Sequence, residues 1–439
     1  MRIAVLGGGV IGVTSAFYLA RDGHEVTVYD ERDSVADDTT ASTAGLIAPG
    51  HSYAWASPQA PRMLLRSLVG GQTSIRVKPR LDPALIRWGL SFIRECTPAR
   101  SLRNTLAKYE LASFSQNLLE QLTGDESLEY RQTNGGILYL YRDAGALEEA
   151  SRKADLMREH GRSQRLLTRE ETLKVDPALA NSTIEFVGAI HDEEDGTGDP
   201  AQFTRELAAA AARLGVRFEL NTRIESLQSD GTVVRRAMTD AGVEIHADGY
   251  VLALGSASSR LARTAGLHVP VYPAKGYSVS VAIRDQSLAP RTGGIDERSL
   301  VAWSPFGDTL RMSAVAEFAG YDKAHTPSNF AEIRAAGNEL FPGALDWNLV
   351  EYRSGLRPMT PDGPPIIGPT MLNNLHINTG HGHVGWTMAC GSASLLAAEL
   401  AGRPSPLDLT PYRFDRFSRR AAKLSSKQRG RSGSKSWTE

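Results

Sequence analysis

Three groups of residues in this 439-residue chain have the types and spacing that chemistry requires. The first is Gly7-x-Gly9-x-x-Gly12, followed some twenty residues on by Asp30. Gly7 permits a tight turn, Gly9 lets the backbone approach a pyrophosphate, and Gly12 lets a helix pack close to a strand. A helix starting at Val10 and Ile11 would offer free N–H groups and a partial positive charge to phosphates. Asp30, with Glu31 beside it, can accept hydrogen bonds from both ribose hydroxyls and would repel a 2′-phosphate, which disfavours NADP. The second group is Gly380-His381-Gly382-His383-Val384-Gly385, another GxGxxG at the start of a helical stretch. The third is Arg357, inside the Pro/Gly-rich run from Gly355 to Gly368, where a guanidinium is suited to holding a carboxylate bidentately.

The elements that must position these residues are legible in part. Ile3-Ala4-Val5-Leu6 reads as a strand buried on both faces, Val10 to Asp22 as a helix ended by Gly23, and Glu25 to Asp30 as a second strand. That is a complete βαβ unit. Leu375–Thr379 is a further strand, and the helix after it runs from Trp386 to about Ala401. No second strand and no acidic residue follow, so the second GxGxxG is not a second dinucleotide site. It presents a glycine-rich helix N-terminus to an anionic or electron-rich group, such as the pyrimidine edge of a flavin. Thr40 to Gly50, containing Ser42, Thr43, Ala44 and Gly45, can lie along an extended cofactor or serve as a plain linker. Gly249 to Ser256, with Ala253 and Gly255, reads as a parallel strand whose end passes under a ligand.

Between these motifs the pattern changes. Leu102–Leu122 and Ala144–His160 read as helices, and 136–142 and 184–191 as strands. Residues 269–349 read as antiparallel sheet with a hairpin at Pro305-Phe306-Gly307-Asp308. The expected fold is α/β: a discontinuous, doubly wound FAD-binding domain (1–80, 190–268, 350–415) with an inserted α+β substrate domain on an antiparallel or mixed sheet (81–189, 269–349). A basic tail, 416–439, is expected to be disordered.

Arg357 would sit at the junction of the two domains, where an interdomain salt bridge is the other reading. Tyr277, on the strand Tyr272–Ile283, either donates its hydroxyl to the substrate carboxylate or packs as a strand residue. His381 and His383 either touch the flavin or cap the helix.

Composition excludes several classes. Two cysteines, Cys96 and Cys390, leave no disulfide scaffold or Cys-based zinc site. No His/Cys/Asp/Glu spacing suggests a metal. The formal net charge of -1 gives no field for nucleic acid, although 418–439 holds seven Lys/Arg and one acid (+6), leaving the body near -7. The tail fits either contact with an anionic membrane or a solvated end. The glycines at 7–9 and 12 argue against reading the amino terminus as a signal or anchor, so a cytoplasmic chain is expected, with peripheral contact to the inner face of the membrane as the alternative.

Five stretches, VLGGGVIGVTSAFYLARDGHEVTVYD, TASTAGLIAPGHSYAWASP, VYPAKGYSVS, SGLRPMTPDGPPIIG and NTGHGHVGWTMACGSASLLA, resemble the D-amino-acid oxidase family of flavoproteins, above all its dehydrogenase branch. The resemblance runs from Met1 to about Phe417 and implies a non-covalent FAD, since Gly355 stands where the sarcosine-oxidase branch carries its flavin-linking cysteine. It implies Arg357 as the carboxylate-binding residue and Tyr277 as a pocket residue. The catalytic set is then Arg357, Tyr277 and His381. The cofactor-binding set is Gly7, Gly9, Val10, Ile11, Gly12, Asp30, Glu31, Ser42, Thr43, Ala44, Gly45, Ile224, Ala253, Gly255, Gly380, Gly382, Gly385, Trp386 and Thr387.

The implied reaction is oxidative deamination of a D-amino acid: hydride passes from Cα to flavin N5, the imino acid hydrolyses to a 2-oxo acid and ammonia, and a quinone or respiratory carrier takes the electrons. The alternatives are glycine, sarcosine, D-proline or D-hydroxyproline as substrate, a flavin-holding subunit of a larger complex, and an NAD-dependent reductase.

Overall fold

The structure is a computed structural model and describes residues 1–68, 75–78 and 81–417. The basic residues of 418–439 lie outside the described residues. Residues 416 and 417, assigned to the tail from sequence, are in place against the body: the Arg416 guanidinium donates to both Asp362 carboxylate oxygens at 2.8 and 3.1 Å.

Two large sheets organise the chain. The smaller runs, in spatial order, 366–369, 375–379, 249–252, β1 (Arg2–Leu6), β2 (Glu25–Tyr29) and 217–219. All its pairs are parallel except the edge strand Ile366–Pro369. The helix α1 (Val10–Arg21) joins β1 to β2 and packs against the helix Gly385–Leu400, and the buried side chains of both helices are mostly small or aliphatic. A sheet covered by helices must be apolar on both faces, which is why β1 reads as an uninterrupted hydrophobic run.

The larger sheet has nine strands among the described residues. Tyr272–Ile283 pairs on one side with Leu345–Met359 and on the other with Thr309–Phe318, and the sheet continues through 301–306, 293–296, 137–141, 188–192 and 164–168. It is mixed rather than purely antiparallel, because 293–296 runs parallel to 137–141. The run read as an irregular return from Gly355 is a strand as far as Met359. Arg357 therefore sits in a ladder, directly opposite Ala274. Leu345–Met359 and Gly188–Asp192 each cross a boundary expected from sequence, near 350 and 190.

Three helices were not read from the sequence or were read short: α2 (Ala60–Leu68) and α3 (Pro83–Glu95) lie beside this sheet, whereas α4 (Pro98–Glu126) packs on the helix Gly385–Leu400. Side chains from the α2 and α3 regions share a core with Tyr272, Ala274, Phe318 and Met359. Asp82 caps α3 through the N–H groups of Ala84 and Leu85. Trp88 on α3 donates its indole N–H to Met359 O at 2.8 Å.

Candidate active site

A cavity of about 1640 Å³ separates the two sheets and takes walls from both. At one end lies the turn after β1. Gly7 has φ +118°, and a Cβ there would stand 2.6 Å from Ala253 O. A Cβ at Gly12 would stand 1.8 Å from Gly7 O, so α1 can approach the strand only with glycine at that position. Asp30 closes β2, where its carboxylate accepts from Gly8 N–H (2.6 Å) and Arg32 N–H (2.9 Å). Burial raises its pKa, and those two donors oppose the rise.

Most of the residues expected at the cofactor line this one cavity: Gly7, Gly9, Val10, Ile11, Asp30, Glu31, Ser42, Thr43, Ala44, Gly45, Ile224, Ala253, Gly255, Gly382, Gly385, Trp386 and Thr387. Gly12 and Gly380 are behind the wall and act through the backbone. Gly380 has φ +84°, and a Cβ would meet Thr360 Cγ2 at 2.6 Å.

The segment after β2 is no plain linker. Val10 N–H donates to Thr40 Oγ1, Ala48 N–H to Thr387 Oγ1, and the buried Arg311 of the larger sheet donates to Ala41 O at 2.8 Å. Thr40 is read from the sequence only as the start of the segment to Gly50, without this contact, and Arg311 is not singled out at all. A threonine-rich run hints at the first, whereas nothing local to residue 311 points to the second.

The glycine loop supplies the middle of the cavity. Helix Gly385–Leu400 begins with no side chain capping it, and its first residues line the wall. Three ring nitrogens there have no protein partner: His381 Nε2, His383 Nδ1 and Trp386 Nε1. Unsatisfied buried donors and acceptors are costly, and a bound group that uses them is the physical explanation. Burial pushes His381 down to about 3 and His383 well below the usual histidine value, the latter helped by the nearby Lys108 ammonium. Both imidazoles are therefore neutral at physiological pH. Trp55, unnoticed in the sequence, stacks on His383 with centroids 5.1 Å apart. An extended pocket with a glycine turn, a carboxylate at the end of β2 and an uncapped helix start fits FAD. Cys96 and Cys390 lie off its wall and Gly355 has no side chain, so no thiol is placed to link the flavin.

Arg357 lines the same cavity. Its guanidinium donates through Nη1 to Val315 O at 2.6 Å, and no acid pairs with it among the described residues. The interdomain salt bridge is absent there. Burial pushes Arg357 down to about 10. The group lies over Gly276, where a Cβ would stand 2.7 Å from Arg357 Cζ. Val315 itself has φ +66°, an outlier for a β-branched residue, and it sits where the pairing of 272–283 with 309–318 shifts register. This bulge exposes the carbonyl that fixes the guanidinium.

Tyr277 is elsewhere. It is buried in the core behind the sheet, edge-on to Phe330, and its hydroxyl donates to Glu317 Oε2 at 2.5 Å. Strand alternation explains the difference: Gly276 faces the cavity, so its neighbour faces away. Among the described residues no group of three or more His, Cys, Asp or Glu could hold a metal ion, and no helix is long and apolar enough to cross a membrane.

Residues 2–399 match the family described as DAO, FAD dependent oxidoreductase. A D-amino acid dehydrogenase 2 of Mesorhizobium japonicum is 41% identical over 409 residues, covering 93% of this chain and 98% of that protein. A D-amino acid dehydrogenase of Bradyrhizobium diazoefficiens is 41% identical over 420 residues, 96% of this chain and 100% of the other. The glycine oxidase structure from Geobacillus kaustophilus shares the fold at TM-score 0.72 and 22% identity, covering 94% of this chain and 98% of its own. With the glycine turn, the Asp30 carboxylate and the uncapped helix all facing one cavity, the chain belongs to the DAO family of FAD-dependent oxidoreductases.

Proposed function

We propose that this enzyme oxidises a D-amino acid to a 2-oxo acid and ammonia, with a quinone or another respiratory carrier as final electron acceptor. The observation that carries the reading is Arg357, a cation facing the flavin-sized cavity whose guanidinium donates to a neutral carbonyl. Such a group demands an anion, and an amino-acid carboxylate matches its fork of donors. The dehydrogenase names of relatives about 40% identical over their whole length support the substrate and the choice of acceptor.

When bound, FAD supplies the two-electron oxidant. The chain supplies geometry and field. The Val315 carbonyl fixes one edge of the guanidinium, so its remaining N–H groups hold the carboxylate in one orientation and present Cα towards the middle of the cavity. Neutral His381 and His383 add no positive charge that would repel the substrate ammonium. Nδ1 of His383, free of protein partners, can accept a hydrogen bond from that amine. The Trp55 and His383 rings form a flat wall that limits water on that side. The resulting imino acid hydrolyses in water.

The test is anaerobic. The purified holoenzyme is titrated in turn with D-alanine, L-alanine, glycine, sarcosine and D-proline while its visible spectrum is recorded. Bleaching by D-alanine and not by L-alanine is expected. Bleaching by glycine or sarcosine alone would replace the substrate assignment, and bleaching by none would remove Arg357 from it.

A further inference from the structure

Beyond the glycine loop the cavity continues into a lobe lined by none of the residues expected at the cofactor. One wall is a face of the larger sheet carrying Tyr139, Tyr141, Ile295 and Glu297. Tyr139 pairs with Ile295, and Glu297 N–H donates to Leu140 O, which carries the ladder past Asp296. Strand alternation sets both tyrosines and the carboxylate on this side, with Leu138 and Leu140 in the core behind. His51 lies over the same face, stacked on Tyr139 with centroids 4.9 Å apart, and Tyr53 stands edge-on to His51. His51 Nε2 is 2.9 Å from Glu297 Oε1, and no Lys or Arg pairs with Glu297 among the described residues. Burial, and after it the Glu297 carboxylate, push the Tyr53 and Tyr141 hydroxyls up, so both phenols sit close to this acid.

The cations around the lobe are engaged elsewhere. Arg142 donates to both carboxylate oxygens of Asp296 at 3.0 and 2.6 Å, and Lys153 pairs with Glu149 at 2.9 Å. Lys108 is off the wall, its ammonium on Tyr53 O at 2.8 Å, and Arg298 is exposed. Behind Tyr139, whose hydroxyl donates to Asp195, the carboxylates of Asp192, Glu194 and Asp195 share the Arg162 guanidinium. Even with Asp195 pushed up to about 7 by burial and by Asp192, that group holds an excess of negative charge. The distance from Arg357 sets the length of what fits. Its guanidinium is bonded to Val315 on Thr309–Phe318, and Gly293–Asp296 lies two strands further, beyond Val301–Phe306. Carried to the strand ends, the registers set Glu297 level with Val315. At about 4.8 Å per strand the two anchors are about 10 Å apart, less the reach of their own side chains. An alanine methyl ends far short of Glu297, whereas a straight side chain with a terminal ammonium or guanidinium reaches it.

We propose that the preferred substrates are D-amino acids with a long cationic side chain, the carboxylate held by Arg357 and the distal cation by Glu297 beside Tyr53 and Tyr141. This rests on the deamination reading above and narrows its substrate. A carboxylate gives an ammonium or guanidinium a charge-assisted hydrogen bond, and electron-rich rings beside it favour a cation further.

The experiment uses the full-length holoenzyme and its Glu297→Gln variant, with a water-soluble dye as electron acceptor. Steady-state kcat/KM is measured for D-lysine and for D-norleucine, which has the same carbon chain without the ammonium. The wild type should favour D-lysine by about tenfold or more, with D-arginine close to D-lysine and D-glutamate poorest. In Glu297→Gln the ratio of D-lysine to D-norleucine should fall about tenfold. Both substrates are read on one preparation, so a variant that is partly unfolded leaves the ratio untouched. The wild-type ratio needs no variant at all. A wild-type ratio near one or below, or a ratio that Glu297→Gln leaves unchanged, overturns the proposal. In either case turnover of D-alanine and D-norleucine would keep the deamination reading intact. Turnover of no D-amino acid would remove that reading and this one together.

Discussion

The two ends of the cavity are built in opposite ways. At the end expected to take the nucleotide, a run from β1 to Asp30 holds the turn, the helix start and the carboxylate, and the backbone would do the binding. At the substrate end, a single side chain from residue 357 lies over residue 276 and is fixed by the carbonyl of residue 315, three positions on three strands. The first arrangement fails when any side chain is added. The second fails when one side chain is removed or displaced. A local motif is robust in register and intolerant of bulk, whereas a long-range constellation depends on sheet register being right everywhere at once.

Substitutions at each end separate these behaviours. The largest effect is expected from Gly12→Val. With Cβ 1.8 Å from Gly7 O, α1 cannot seat, and the purified protein should hold less than about a tenth of the normal flavin by absorbance. Arg357→Met should keep its flavin spectrum and lose about 10³-fold in kcat/KM for D-alanine, on the order of 4 kcal/mol, the scale of a buried charge-paired contact. A flavin-free Arg357→Met protein would mean that the two ends are not independent.

Gly276→Ala should be milder. The atoms in its way are the end of the Arg357 side chain, so the fold and flavin should survive. A displaced guanidinium should then lower kcat/KM by about 10- to 100-fold, read by steady-state kinetics.

The glycine loop offers a pH test. His381 is held at about 3 when folded and near 6.5 when unfolded, so the stability it confers as a neutral group is complete above about pH 6.5. That contribution is lost as pH falls towards 3, because the unfolded chain takes up a proton that the folded one refuses. The Tm of the wild type should therefore fall relative to that of His381→Leu as pH drops from 7 to 4. A constant difference would place the imidazole in contact with water. The smallest effect on activity is expected for Tyr277→Phe: less than about threefold in kcat/KM, with about 1–2 kcal/mol of stability lost from the Glu317 hydrogen bond in urea unfolding.

Legibility in the sequence follows the same division. Gly7, Gly9, Gly12 and Asp30, and the loop from Gly380 to Thr387, are local patterns with local physics, and they meet at one cavity. Arg357 was legible by type, because an arginine in a Pro/Gly-rich junction is conspicuous. Its holder was not, since the left-handed backbone at Val315 arises from pairing with a strand some forty residues earlier. Tyr277 shows a limit of another kind. It is one residue from the cavity-facing Gly276, and along a strand that single step decides between substrate and core. The helix α3 escaped notice because Ile86, Leu90 and Ile93 break the expected pattern of a polar outer face.

The order of strands in the smaller sheet has a consequence for how the enzyme is made. β1 is flanked by β2 and by 249–252, and beyond that by 375–379, while α1 rests on the helix 385–400. The glycine turn leaves the ribosome early and β1 can pair with β2 at once, yet its other sheet neighbour, 249–252, comes far later and the helix partner of α1 later still. A nascent chain must therefore keep one edge of an apolar strand and one face of α1 uncovered through much of synthesis, a state prone to aggregation and suited to chaperone capture. Flavin loading becomes a late, post-translational event. Pulse-labelled chains arrested before residue 375 should consequently bind no FAD, however well the first βαβ unit has formed.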